Sequence, residues 1–343
     1  MTDSNTLSRL MAVSSSYQEA SVLHTAADFD LATKILERKP PVASASELAK
    51  SLQLDLRALS MLLDALAALG YFVKTADARH SVAEPFVELL DSRHPATFIP
   101  MLRHMGNCMR DWSQLARVVT EGQSQPKQCS ILGAEEDNVS FILAMNSVAR
   151  VFVSPLITDM KNNGVLDFGK ENIRFIDIGG ASGTYTKAFL EALPQSTGTI
   201  FDLPVAIREA RQRFAGTPLE SRVSFAEGDF YKNDLPNGFD FAWISAIIHQ
   251  FGRAESQALY AKAHRALNPG GRIAVRDYVM EPNRTAPSLG ALFGINMLVH
   301  TATGKVYTYD EIRTDLEAAG FINVTLAVPA ATMSAVVTAE KAK

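Results

Sequence analysis

After Glu171, short apolar runs alternate with helical stretches, and this alternation restricts the fold more than any other feature of the chain. Residues 173–178 form an apolar run that ends in Asp177-Ile178-Gly179-Gly180. A helical stretch follows to Leu193, then a strand at 199–201, a helix at 205–214 and a strand at 223–225. Residues 239–244 are apolar, 255–267 are helical and 272–275 are strand-like again. Strands that alternate with helices predict a parallel sheet with helices on both faces. The end breaks the pattern. A helix over 310–319 and Gly320-Phe321 lead into two β-rich runs, 323–328 and 333–338, with a hairpin expected at Pro329-Ala330-Ala331. The expectation is an α/β, doubly wound, Rossmann-like sheet closed by a late antiparallel strand.

The first half reads as helices. Apolar positions recur at helical spacing over 21–38, a short helix is expected at 46–53, and a longer one at 55–69 carries Leu59, Leu62, Leu63 and Leu66 on one face. Gly70 suits the end of that helix. Residues 71–74 and 80–82 read as two strands around a turn at Asp77, so the outline is a winged helix with a small β-wing. Further helices are expected at 98–120 and 138–162, separated by a polar loop at 123–128. Met101, Met105, Met109, Met145 and Met160 read as filling for a core or an interface. A chain of 343 residues exceeds one typical domain. The expected divisions are 1–100, 101–165 and 166–343.

Composition excludes several classes. The formal net charge of -4 supplies no basic field for nucleic acid or anionic lipid. Cys108 and Cys129 make neither a disulfide framework nor a CxxC metal pair. Residues 1–10 are polar and lack an apolar signal core. No run of about 20 apolar residues is free of charge. A cytoplasmic protein with no membrane span and no nucleic-acid partner is the expectation.

The first strand ends in Asp177-Ile178-Gly179-Gly180-Ala181-Ser182-Gly183. Glycines there let the chain turn tightly and let a ligand approach the backbone. A dinucleotide fingerprint would need glycine at 179, 181 and 184, but Ala181 and Thr184 stand in two of those places. The observed Asp-x-Gly-x-x-x-Gly suits a nucleoside ligand without a pyrophosphate, such as S-adenosylmethionine. Asp202 ends the second strand in Phe201-Asp202-Leu203-Pro204, 23 residues after Gly179. A carboxylate there can accept both ribose hydroxyl protons. Gly228-Asp229-Phe230 follows the third strand. Asp229 can accept from an adenine amino group while Phe230 packs on the ring. The plainer alternatives are a helix N-cap for Asp202 and a turn residue for Asp229. Three successive strand ends that each carry a suitable group favour the ligand.

Residues from about 175 to the end resemble the small-molecule O-methyltransferases of plants and bacteria, the group that includes caffeate, flavonoid and antibiotic-tailoring enzymes. The matching stretches are FIDIGGASG (175–183), FDLP (201–204), EGDFY (227–231), IIHQF (247–251), LNPGGRIAVRD (267–277) and LEAAGF (316–321). The first half is similar too, because these enzymes carry a helical, winged-helix-like dimerisation domain. The resemblance implies a class I methyltransferase sheet, S-adenosylmethionine as cofactor, a small-molecule acceptor and a homodimer built through the N-terminal domain. A common basic or polar contact to the cofactor carboxylate falls on Ser245.

His249 follows the fourth strand, near the sheet edge where open α/β folds place ligands. From position alone, a base and a buried structural histidine are equally good readings. In the resembled family a histidine there removes the acceptor hydroxyl proton, which an imidazole titrating near neutral pH can do. Asp277 ends the fifth strand, next to the fourth in this plan, and the resemblance makes it the acid that steers His249. The alternative for Asp277 is a salt bridge with Arg276 or Arg284. The chain also departs from the family. Val306 stands where plant enzymes place a second acid, and the usual His-acid-Trp is His249-Gln250-Phe251. A thinner base leaves room for a C-, N- or S-acceptor, or for catalysis mainly by proximity. His300 lies in a segment that the resemblance places at the acceptor pocket. A metal held by His249, His300 and Asp277 is not expected, because the spacing is long and no local ligand motif exists. Trp112, Met145, Phe293, Asn296 and Met297 are candidate pocket walls, and each serves equally well as plain core.

Two rival functions stand beside this one. A winged helix could bind DNA while the second domain senses a ligand. Its recognition helix at 55–69 has Arg57 as its sole cation and a leucine-rich face, which suits a dimer interface better than phosphate contact. The other rival uses the bound sulfonium without transferring its methyl group. Release of S-adenosylhomocysteine separates that case from a methyltransferase.

Overall fold

The computed structural model describes residues 4–343 and every side chain among them except those of residue 4 and residues 146–151. The chain forms two compact units. The first comprises the residues up to Ser113 together with Pro126–Val148, and the second Gln114–Gln125 with Ala149–Lys343.

In the first unit the helix expected over 21–38 is two helices, Tyr17–Asp28 and Leu31–Leu36. The break is at Asp30, whose φ of 53° is left-handed. Its carboxylate accepts from Thr33 Oγ1 at 2.7 Å and Ser92 Oγ at 2.8 Å. A side chain that bonds locally competes with the helix, and apolar spacing does not register it. Ser44 and Glu47 form a capping box on helix Ala45–Leu52. Asp55 caps helix Leu56–Ala68, which buries Leu59, Leu63 and Leu66. Strands Phe72–Lys74 and Arg79–Val82 pair antiparallel, and Ala43–Ser44 adds a third strand on the far side of Arg79–Val82. The helix expected over 98–120 is also two, Ile99–Trp112 in this unit and Leu115–Glu121 in the second. Ser113 donates its hydroxyl back to the Arg110 carbonyl where the first of them ends. Met101 is buried here, as is Met160 in the second unit, whereas Met105 and Met145 are exposed.

In the second unit, strands β1 (Arg174–Ile178), β2 (Thr197–Asp202), β3 (Val223–Glu227), β4 (Phe239–Ser245) and β5 (Leu267–Asp277) pair in parallel. The closing hairpin is β6 (Phe321–Val328) and β7 (Ala335–Lys341). The order across the sheet is β6-β7-β5-β4-β1-β2-β3, with β7 antiparallel to both its neighbours. Helices α1 (Thr184–Ala192) and α2 (Pro204–Phe214) cover one face, where Phe175, Trp243, Ala274 and Val336 meet Phe189, Ile207 and Phe214. Helix α3 (Arg253–Ala266) and a later helix (Tyr309–Ala318) cover the other, where Ile176, Ile244, Val275 and Val337 meet Leu259, Ile312 and Leu316. Burial on both faces is why these strands read as unbroken apolar runs. Each such Val, Leu, Ile or Phe side chain contributes about 1.5–3 kcal/mol by leaving water.

One helix and one pair of short strands in this unit carried no sequence signal. Helix Ser288–His300 is apolar all round, so no 3.6-residue period marks it. Two-residue strands Val279–Met280 and Tyr307–Thr308 pair in parallel beyond the end of β5. Among the described residues no helix is long and apolar enough to cross a membrane.

The chain fills β1, β2 and β3 outward on one side and then returns to β4 and β5 on the other. The reversal lies between β1 and β4, and a crevice at the carboxyl ends of such strands is where open α/β sheets bind ligands.

Candidate active site

The loop after β1 is tight. Gly179 has φ 70° and Gly183 has φ 76°. A Cβ on Gly179 would lie 2.6 Å from Ile247 Cδ1 and 3.7 Å from Phe230 Cε1, and one on Gly183 would lie 2.6 Å from Ile200 Cδ1. Both the backbone angle and the space therefore demand glycine. Gly180 sits between them, directly above Asp177. Asp177 is buried and accepts from Thr186 Oγ1 at 2.7 Å, which ties β1 to the first turn of α1. Burial pushes its carboxyl up to about 7, and the Thr186 bond opposes that rise.

Asp202 joins the loop to β2. Its Oδ2 accepts from the Ala181 N–H at 2.8 Å and its Oδ1 from the Leu203 N–H at 2.7 Å. Burial raises this carboxyl above its ordinary value, against the two backbone bonds. The N-cap of α2 is Leu203, half-exposed, so Asp202 does not cap the helix. Each of its oxygens keeps a further lone pair for a ligand. Beyond β3, the Gly228 N–H donates to the Asp202 carbonyl at 3.0 Å, which brings the third strand end to the second. Asp229 accepts from the Tyr231 N–H at 2.9 Å and pairs with Lys232 at 3.1 Å. The backbone bond holds its carboxyl below the usual range. In this conformation Asp229 is the turn residue of the plainer reading. Phe230 packs on Tyr231 and Phe251, with ring centres 4.7 and 6.2 Å away.

The ends of β4 and β5 lie side by side, with Ser245 opposite Arg276. Past Ser245 the chain turns at Ala246, φ 57°, into a short 3-10 turn, Ile248–Gln250, that carries His249. His249 Nδ1 is 2.9 Å from both carboxylate oxygens of Asp277. His249 is 6% exposed and Asp277 1%. Oδ1 of Asp277 also accepts from the Tyr278 N–H at 2.8 Å, which holds the carboxylate in place. Neither arginine considered for Asp277 pairs with it: Arg276 donates to the neutral Ser245 Oγ at 3.1 Å, and Arg284 pairs with Glu311 at 2.6 Å.

Phe293 stands perpendicular to the His249 ring at 4.8 Å and 5.1 Å from Tyr278, which the sequence reading missed although it directly follows Asp277. Asn296, Met297 and His300 share the helix of Phe293, and His300 Nδ1 lies 2.8 Å from the Asn296 carbonyl. Among the described residues no three His, Cys, Asp or Glu side chains are grouped to hold a metal. Val306 is buried, and its carbonyl accepts from Arg284. Trp112 and Met145 belong to the first unit.

Residues 112–322 match the family model of the O-methyltransferase domain, and residues 11–87 that of the O-methyltransferase dimerisation domain. The chain belongs to the O-methyltransferase family. This methyltransferase is 28% identical to the tetracenomycin polyketide synthesis 8-O-methyl transferase TcmO of Streptomyces glaucescens, over 92% of this chain and 91% of that protein. It is 26% identical to acetylserotonin O-methyltransferase of Gallus gallus, over 91% of each. In fold it is similar to human N-acetylserotonin methyltransferase in complex with SAM, with a TM-score of 0.81, 22% identity and coverage of 100% and 99% of the two chains.

The methyltransferase is an S-adenosylmethionine-dependent enzyme that carries a dimerisation domain. Its own residues fit the cofactor. The glycine loop is a cradle that a Cβ would fill, and the free lone pairs of Asp202 stand beside it.

Proposed function

We propose that the enzyme methylates a phenolic hydroxyl of a small aromatic molecule, with His249 as general base and Asp277 as the residue that positions it. The observation that carries this reading is the buried contact of His249 Nδ1 with the Asp277 carboxylate. Nδ1–H donates to the carboxylate, so the imidazole lone pair is on Nε2, free to accept a proton. Bound S-adenosylmethionine supplies an electrophilic methyl group on a sulfonium. Proton removal by His249 is worth about 10²–10⁴ in rate, and in-line positioning supplies the remainder. With Val306 in place of a second acid, the base suits a phenol, near 10 like tyrosine, better than an aliphatic alcohol. Phe293 and Tyr278 beside His249 offer aromatic faces to such a ring.

The finer assignments follow from the same reading. Asp202 takes the ribose hydroxyls, with Leu203 beside it, and Asp229 with Phe230 takes the adenine. Asn296, Met297 and His300, on the helix of Phe293, line the acceptor pocket. The winged-helix-like first unit joins two copies of the chain and binds no nucleic acid. Leu7, Leu10, Met11, Val13 and Tyr17, each at least 58% exposed, are the apolar surface that a second copy would cover. Two unpaired cysteines suit a reducing cytoplasm.

The test begins with a screen of phenols, hydroxyquinones and N-heterocycles, read by mass spectrometry as the gain of one methyl group. On the acceptor so found, His249→Ala should lower kcat by about 10²–10⁴ and leave S-adenosylhomocysteine affinity as it was. An unchanged kcat would remove His249 from the chemistry.

A further inference from the structure

Arg276 is the one buried arginine or lysine among the described residues, 6% exposed. Its Nη1 donates to Ser245 Oγ at 3.1 Å and its guanidinium carbon lies 5.3 Å from the centre of the Tyr185 ring. Its Nε is buried without a hydrogen-bond partner, and so is the Tyr185 hydroxyl. Among the described residues no carboxylate pairs with it. Asp277, next along β5, is on the opposite face of the sheet and serves His249. A buried guanidinium that faces only a hydroxyl and an aromatic ring is strongly unfavourable, because little replaces the water it has lost. Such a group makes sense where an anion arrives.

The surroundings say which anion. Ser245 and Arg276 face each other at the carboxyl ends of β4 and β5, and β4 pairs with β1, whose end runs into the glycine loop. Tyr185 is on the first turn of α1, two residues past Gly183. The cluster therefore borders the loop on the side away from Asp202. A cofactor whose ribose is at Asp202 has one anionic group, the carboxylate of its methionine portion.

We propose that Arg276 binds this carboxylate, with the Ser245 and Tyr185 hydroxyls beside it. Ser245 alone is neutral, and Arg276 delivers the missing charge from the neighbouring strand. The proposal rests on the glycine loop and Asp202 being the cofactor site.

Titration calorimetry with two probes tests it: S-adenosylhomocysteine, which has the carboxylate, and 5′-methylthioadenosine, which lacks the amino-acid portion. Arg276→Met keeps the aliphatic stem and removes the charge. It should weaken S-adenosylhomocysteine by about 10- to 100-fold, the scale of a lost charge-assisted hydrogen bond, and leave 5′-methylthioadenosine unchanged. The melting temperature of the ligand-free variant should hold or rise, because an unpaired buried charge has gone. Arg276→Lys should keep part of the preference. A lower melting temperature with the preference intact would make Arg276 structural and overturn the proposal. So would an unchanged affinity for S-adenosylhomocysteine combined with a raised KM for a carboxylate-bearing acceptor. If Arg276→Met does not fold, the wild type decides: equal affinity for S-adenosylhomocysteine and its decarboxylated analogue would refute carboxylate recognition. A wild type that binds neither probe would instead refute the cofactor site itself.

Discussion

The two halves of the same sheet edge are built in different ways. Beside β1 and β2 the surface is main chain: glycines at 179 and 183, and an Ala181 N–H held by Asp202. Beside β4 and β5 the base is held by side chains: His249 on Asp277, with Phe293 perpendicular to the imidazole. A nucleoside is the same in every cofactor molecule, so a backbone cradle with one carboxylate suffices. A proton transfer needs a particular atom held at a particular place, which takes a supported side chain. Binding and chemistry should therefore be separable by mutation.

The sharpest cut is Asp277→Asn. Loss of the carboxylate frees the imidazole to adopt the wrong tautomer, and kcat should fall about 100-fold or more at saturating cofactor. Affinity for S-adenosylhomocysteine should stay as in the wild type. If affinity fell as far as kcat, the division between the two halves would be false. Asp202→Ala is the mirror experiment. Calorimetry should find S-adenosylhomocysteine weakened by about 10- to 100-fold, with kcat at saturating cofactor close to wild type. A kcat loss without an affinity loss would break the comparison from the other side.

The smallest effect concerns what lies beneath the cradle. Asp177 has its carboxyl raised to about 7 by burial. Between about pH 4 and pH 7 the folded chain holds a proton there that the unfolded chain has released. Its contribution to stability is therefore lost as pH rises through that window. Linkage sets an upper limit of about 4 kcal/mol, and entry of water as the loop opens should reduce the observed change to about 1–2 kcal/mol. Asp177→Asn should remove the slope, so that its denaturation midpoint gains on the wild type from pH 4 to pH 8. Parallel pH profiles for the two proteins would show that Asp177 keeps its ordinary ionisation.

The legibility of the molecule follows the same line. FIDIGGASG was readable because a strand, a tight turn and a helix start are adjacent in the chain, and each residue reports its own backbone need. The capping pairs Ser44 with Glu47 and Thr308 with Glu311 are equally local. The break at Asp30 escaped because Ser92, far along the chain, helps to hold it. Helix Ser288–His300 escaped because a segment apolar on every side shows no period.

The sequence by itself determined the alternating α/β plan, the glycine cradle, and the three strand ends that carry Asp202, Asp229 and His249. Only the tertiary structure decided that Asp277 belongs to His249 and not to Arg276 or Arg284, that Asp202 braces the loop, and that Arg276 is a buried cation with no carboxylate beside it among the described residues. The reason is register. Residues 28 positions apart meet because β4 and β5 align in one way, and that alignment is the sum of packing on both faces of the sheet, which no local pattern contains.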